Sequence, residues 1–146
     1  MANFFFDTTA LAKHYCLELG THKINELLGE KRNQVILAEC TVTEMFSTLN
    51  KKVRRNDITR DDFFTFVYKF ESDLDQGLFK FIDITPQVIK NSKLLLLHHS
   101  YLRFATALQL ACAVEVFALK PTIVSSDVHF LEVSKTTGFK ILNPEK

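Results

Sequence analysis

The sequence predicts an α/β fold in three layers, with a central, mostly parallel sheet covered on both faces by helices. Three observations carry that expectation. Short apolar strand segments alternate with amphipathic helix segments along the chain. No two-residue hairpin signal such as Asn-Gly separates successive strands, as an antiparallel pair would favour. Carboxylates stand where two apolar strands end, Asp7 after "NFFF" and Asp127 after "TIVSS". In sheets of this kind ligands bind beyond the carboxyl ends of the strands, near a topological switch point.

The elements follow in order. The aromatic run at 3–6 reads as a strand, helices are expected at 8–19 and 21–30, and "QVILA" at 34–38 is the second strand. "TVTEMFSTLNKKVRR" opens with a Ser/Thr-x-x-Glu capping box at Thr41 and Glu44. "TRDDFFTFVYKFESDLDQ" opens similarly at Thr59, with Asp62 in the acidic position, so the two form a helical hairpin across "RND". "LFKFIDI" alternates as a strand, and "TPQVIKNSKLLLLHH" starts a helix with Pro86 at its first position. "RFATALQLACAVEVFAL" is the longest apolar helix. "TIVSSD" is a short strand, "VHFLEVSKTTG" a helix closed by Gly138, and "KILN" the last strand.

The chain of 146 residues is expected to form one domain over 1–146, long enough to bury a substantial core. With 47% hydrophobic and 24% charged residues it is neither disordered nor fibrous, and 14 Phe with no Trp predict an aromatic-rich core. A net charge of +1 supplies no overall field for polyanions, so any such site must be local. Cys16, Cys40 and Cys112 are widely spaced and without metal spacing, and read as reduced core thiols. The start lacks a basic n-region and an h-region, and "KLLLLHH" falls short of the ~20 apolar residues that span a bilayer. The expectation is a cytoplasmic protein with no membrane partner.

Three acids stand out, each with a local explanation. Asp7 and Asp127 suit helix N-caps, and Glu44 suits the reciprocal position of its capping box. The same fold would also direct all three to one rim of the sheet. Gathered there, they would repel by about 1 to 4 kcal/mol per close pair at intermediate dielectric. A bound cation removes that penalty. Mg²⁺ or Mn²⁺ suits all-oxygen ligation and can activate water against a phosphodiester.

Four stretches resemble the motifs of PIN-domain nucleases, the fold of VapC-type toxins in bacterial toxin-antitoxin pairs. "FFFDTTALAKHY" resembles the opening Asp-Thr-Ser/Thr motif and "AECTVTEMFSTL" the second, with Glu44 in the acidic position. "LRFATALQLACAV" is similar to the third, and "TIVSSDVHFLEVSKTTGFKILNP" to the fourth and the C-terminal strand. The resemblance runs through nearly the whole chain in the right order. It implies a PIN-like fold, a divalent-metal site, cleavage of RNA, a homodimer and a cognate antitoxin. It implies further that Asp7, Glu44 and Asp127 are catalytic metal ligands and that Thr9 is the hydroxyl beside the metal.

The departure lies in the third motif. The family usually carries Leu-Asp-Ala-Leu-His-Leu-Ala there, or Gln for His, whereas this chain reads "FATALQLA", with Thr106 in the aspartate's position and Gln109 an ordinary variant. Glu115, nine residues on, falls on nearly the opposite helix face and cannot replace the missing acid. Thr106 could hold a water at the metal or bond the carbonyl of Leu102 in the preceding turn. The leading expectation is therefore a metal-dependent endoribonuclease, impaired or not by Thr106. The alternative is a catalytically degenerate PIN domain that binds RNA or protein.

Lys13 and Arg103 flank the first and third motifs and are candidate phosphate contacts. "KKVRR" at 51–55 reads as a solvated helix end, since basic residues there complement the helix dipole. The aromatic run 63–70 reads as core or dimer surface, and no histidine is assigned as a ligand.

Overall fold

Side chains on a strand alternate between its two faces, so three successive phenylalanines cannot all face one way. In the computed structural model, which describes residues 2–146, strand β1 (Ala2–Phe6) uses that alternation to join two cores. Phe6 packs with Leu11, Ile24, Met45 and Phe70 on one side of the sheet. Phe5 packs with Ile36, Leu110, Ile123 and Phe130 on the other. Both rings are fully buried. A strand apolar on both faces belongs at the centre of a covered sheet.

The remaining strands are β2 (Asn33–Ala38), β3 (Lys80–Ile82), β4 (Thr122–Val124) and β5 (Lys140–Leu142). They pair in the order β3-β2-β1-β4-β5, every pair parallel. The expected three-layer α/β architecture is therefore present. Helices α1 (Thr8–Tyr15), α2 (Thr21–Gly29), α3 (Cys40–Arg54) and α4 (Arg60–Asp75) supply the Phe6 side. Helices α5 (Pro86–His98), α6 (Phe104–Glu115) and α7 (Val128–Thr137) supply the Phe5 side. The chain leaves β1 toward β2 in one direction and returns to β4 on the other, so the switch point lies between β1 and β4. Asp7 follows the first of these strands and Asp127 lies just beyond the second.

Several local signals act as expected. Thr59 and Asp62 form a reciprocal capping box, with Asp62 N–H to Thr59 Oγ1 at 3.0 Å and Thr59 N–H to Asp62 Oδ2 at 2.9 Å. Pro86 starts α5 behind a Thr85 cap, and Gly138 ends α7 with a left-handed φ of 108°.

Others do not. Helix α1 stops at Tyr15, four residues short of the expected end, because Thr21 closes it from outside. Its hydroxyl donates to the Lys13 carbonyl at 2.7 Å and accepts from Glu18 N–H at 3.0 Å. Helix α6 ends at Glu115 and passes through a 3-10 turn, Phe117–Leu119, since Pro121 bars further helix. Only Lys80–Ile82 of "LFKFIDI" joins the sheet, an edge position with β2 as sole neighbour.

The Thr41–Glu44 capping box does not form. Glu39 N–H donates to the Ile82 carbonyl at 2.9 Å, and its side chain accepts from Ile84 N–H at 3.2 Å. That anchorage starts α3 one residue before Thr41, which is fully buried with its hydroxyl unpartnered. The local explanation of Glu44 is thereby removed.

All three cysteines are free thiols, and burial pushes their pKa up, Cys112 to about 12. Among the described residues no helix is long and apolar enough to cross a membrane.

Candidate active site at the carboxyl edge of the sheet

The turn after β1 puts Asp7 at the N-cap of α1, where its Oδ1 accepts from Ala10 N–H at 2.9 Å and Thr9 hydroxyl at 2.7 Å. Its other oxygen accepts from Ser125 at 2.6 Å. Ser125 Oγ in turn accepts from Asp127 N–H at 2.9 Å, and Thr9 Oγ1 accepts from Ser126 N–H at 2.9 Å. The two strand exits at the switch point are thus tied together by hydroxyls. Asp127 caps α7, its Oδ1 accepting from His129 and Phe130 N–H at 3.0 and 3.1 Å. The capping roles expected for both aspartates are real, and each leaves carboxylate surface on the same cavity.

That cavity, of about 680 Å³, is lined by Asp7, Thr9, Glu44, Thr106 and Asp127. Glu44 reaches it from α3 and is held by two residues far away in sequence. Gln109 Nε2 donates to its Oε1 at 2.7 Å, and the Thr8 hydroxyl donates to the same oxygen. Thr106 stands on the cavity wall, on α6, one turn before Gln109. Glu115 is exposed and outside the cavity.

Burial is the main force on Asp7, which is only 4% exposed. Desolvation penalises the charged carboxylate, the hydrogen bonds from Ser125, Thr9 and Ala10 oppose that, and the charge of Asp127 adds to it. The net effect pushes the pKa up to about 6.

The basic candidates divide. Arg103 lines the cavity, joined by Lys51, Lys52 and Arg55 from "KKVRR", so the run read only as a solvated helix end also forms the cavity rim. Lys13 is not free to meet a phosphate. Its ammonium is buried between Glu145 at 2.7 Å and Glu18 at 3.0 Å, and the attraction of those carboxylates outweighs desolvation and holds its pKa up. Glu18 also pairs with Lys52 at 2.7 Å.

Three further residues belong to the site without having been anticipated there. Ser125 could have been suspected from the hydroxyl pair before Asp127. Thr8 and Gln109 gave no local signal of holding Glu44, since that contact depends on how α1, α3 and α6 meet.

No family model and no curated protein matches the sequence. Solved structures do match the fold. VapC20 of Mycobacterium tuberculosis, a sarcin-ricin-loop-cleaving toxin, superposes with a TM-score of 0.67 at 15% identity, over 93% of this chain and 95% of that one. FitAB bound to a DNA fragment matches with a TM-score of 0.69 at 14% identity, over 98% and 96%. VapBC2 of Rickettsia felis, bound to a fragment of its promoter, matches with a TM-score of 0.63 at 14% identity, over 97% and 98%. The chain has the PIN-like fold of VapC toxins. At identities this low the superpositions establish the fold alone and leave the chemistry to the chain's own residues.

That fold implies a divalent cation, and the donor set can be tested for it. The carboxylate and hydroxyl oxygens on the cavity suit a hard ion, and a cation would relieve the desolvation and mutual repulsion that raise the Asp7 pKa. Among the described residues no three acidic, histidine or cysteine side chains are gathered closely enough to form a metal cage. The fit is therefore to an ion such as Mg²⁺, which needs one or two carboxylates and keeps water for its other positions.

Proposed function

We propose that the chain is a metal-dependent endoribonuclease of PIN type, the toxin of a toxin-antitoxin pair. The observation that carries this reading is the convergence of Asp7, Glu44 and Asp127, from three separate elements, on one cavity with a basic rim. Of Asp7, Glu44 and Asp127, one or two would hold Mg²⁺ or Mn²⁺ directly and the rest through waters the ion keeps; when bound, the ion supplies Lewis-acid neutralisation of phosphodiester charge. Lys51, Arg55 and Arg103 would bind the flanking phosphates, while Lys52 is already paired with Glu18. Gln109 and Thr8 orient Glu44, and Ser125 and Thr9 orient Asp7, so the acids are held before substrate arrives.

Proteins of the same fold were solved as toxin-antitoxin complexes, which supports a cognate antitoxin here as well; the homodimer rests on the motif resemblance alone. A small neighbouring reading frame encoding an antitoxin would strengthen that assignment.

The test is a titration of the protein with Mg²⁺ and Mn²⁺ while cleavage of single-stranded and structured RNA is followed in parallel. Saturable cleavage that tracks metal binding and disappears with chelator is the expected result. Metal binding without cleavage in a nuclease-free preparation would reject the enzyme. A second reading has its own support in Thr106, which faces the cavity without a charge: a degenerate PIN domain that binds RNA or protein and cleaves nothing.

A further inference from the structure

Beside the acid cavity lies a second hollow that shares three of its residues, Arg103, Thr106 and Asp127, and adds Tyr101 and His129. The two rings are stacked, 5.6 Å between centroids and 16° between planes, although they come from separate elements. Tyr101 lies in the loop before α6, whereas His129 lies on the first turn of α7. Neither pair member is core: Tyr101 is 78% exposed, and the His129 side chain is 64% exposed. A tyrosine covered on one face by an imidazole and still so exposed must hold its other face in water. Phe104, 73% exposed, stands on the rim of the acid cavity one residue past Arg103.

Single apolar residues at a surface need no explanation, but a stacked ring pair with Phe104 on the same two adjoining hollows is a surface suited to contact with something else. Here the neighbours say what. A carboxylate, a guanidinium and a pair of stacked rings within two adjoining hollows suit a nucleotide, with charge for the phosphate and a ring face for the base. We propose that the Tyr101–His129 stack is a nucleobase subsite, which takes one unstacked base of a single-stranded RNA adjacent to the phosphate at the acid cavity. Single-stranded RNA is commonly gripped by stacking its splayed bases on aromatic side chains, an interaction tolerant of base identity. Arg103, between the two hollows, holds the connecting phosphate. The inference rests on the endoribonuclease reading for the placement of that phosphate, but base stacking itself needs no metal.

The test uses the 146-residue chain and a short single-stranded oligoribonucleotide carrying one 2-aminopurine, in chelator so that nothing is cleaved. Stacking on Tyr101 should quench the fluorophore on binding. Tyr101→Leu should weaken binding about tenfold and abolish the quench, whereas Tyr101→Phe should leave both within about twofold, since the ring remains. An abasic linker at the quenched position should weaken wild-type binding by a similar factor and add little to Tyr101→Leu. Light scattering on the variants reports oligomeric state, and a thermal melt reports folding.

The outcomes separate the two ideas. Quenching that depends on Tyr101, in a protein that never cleaves RNA with Mg²⁺, keeps the subsite and ends the nuclease reading. Metal-dependent cleavage with no quench, and with Tyr101→Leu binding and cleaving like wild type, keeps the nuclease and overturns the subsite. Tyr101→Leu that dissociates an oligomer while binding the oligonucleotide normally assigns the rings to a protein interface and overturns the subsite. A lowered melting temperature with unchanged binding reduces the stack to a loop fastening, which overturns it too.

Discussion

The two edges of the sheet offer hollows of comparable size and opposite character. At the amino edge a cavity of about 510 Å³ is lined by Lys31, Arg32, Asn33, Gln34 and Lys80, with Leu78 and Phe79 and no acid. At the carboxyl edge the cavity of about 680 Å³ carries Asp7, Glu44 and Asp127 inside a ring of basic residues. Volume does not distinguish them. What does is that Asp7 and Glu44 are fixed by hydrogen bonds from other elements and Asp127 by the first turn of α7, and that Asp7 is buried at a cost. Parallel strands explain the asymmetry: every strand exit points to the same edge, so capping residues of the following helices collect there, while the amino edge receives helix ends.

The sharpest way to break the comparison is Asp7→Asn. Loss of the charge should lower RNA cleavage by roughly tenfold or more, measured with saturating Mg²⁺. Stability should move the other way. Because the folded-state pKa of about 6 exceeds the unfolded value of 3.8, the folded chain binds more protons between those limits, and stability falls as pH rises through that window. Above it the metal-free protein carries a penalty of order 1 to 3 kcal/mol at ~1.4 kcal/mol per pKa unit. Asp7→Asn should therefore melt higher than wild type at pH 7 in chelator and lose most of that advantage at pH 4. Equal melting of the two proteins at both pH values would show that Asp7 carries no such burden.

Thr106→Asp should sharpen the contrast by adding one more acid to the carboxyl-edge cavity, which Asp7, Glu44, Asp57 and Asp127 already line. Metal affinity and cleavage should rise together. The metal-free variant should melt lower through added repulsion, and Mg²⁺ should recover the loss by binding only the folded state. A destabilised variant with unchanged metal affinity and cleavage would favour the binding-module reading.

A smaller effect is expected from Ser125→Ala. Asp7 loses its 2.6 Å donor, so its pKa should rise further and the acid limb of the cleavage–pH profile should move to higher pH. A profile superimposable on wild type would remove Ser125 from the site.

The smallest effects compare the basic residues of the two edges directly. Lys51→Ala and Arg55→Ala should each weaken RNA binding uniformly across sequences and reduce the slope of log affinity against log salt by about 1. Lys31→Ala and Arg32→Ala, at the amino edge, should leave both unchanged. An equal loss at the two edges would mean that RNA reads general surface charge and that the acid cavity plays no part in binding.

Much of this was legible along the chain. Strand and helix order, the Thr59–Asp62 box, the Pro86 start and the Gly138 stop are encoded within a few residues, and the structure honours them. The aspartates at the exits of β1 and β4 were legible for the same reason, since capping is local chemistry. The rim formed by "KKVRR" was visible as charge but not as cavity wall. Lys13 misled because its sequence neighbours show a basic residue beside a motif, whereas Glu145, which pairs with it, lies 132 residues away.

The amino-acid order by itself determined the periodicities, the caps and hence a parallel α/β sheet with acids at strand exits, because those depend on backbone geometry within one turn or one strand. Only the tertiary structure decided that Glu44 abandons its expected cap for Thr8 and Gln109, that Ser125 joins Asp7 to Asp127, and that Tyr101 stacks on His129. Each of those contacts joins separate elements whose approach is set by packing on the two faces of the sheet, and no local pattern encodes that approach.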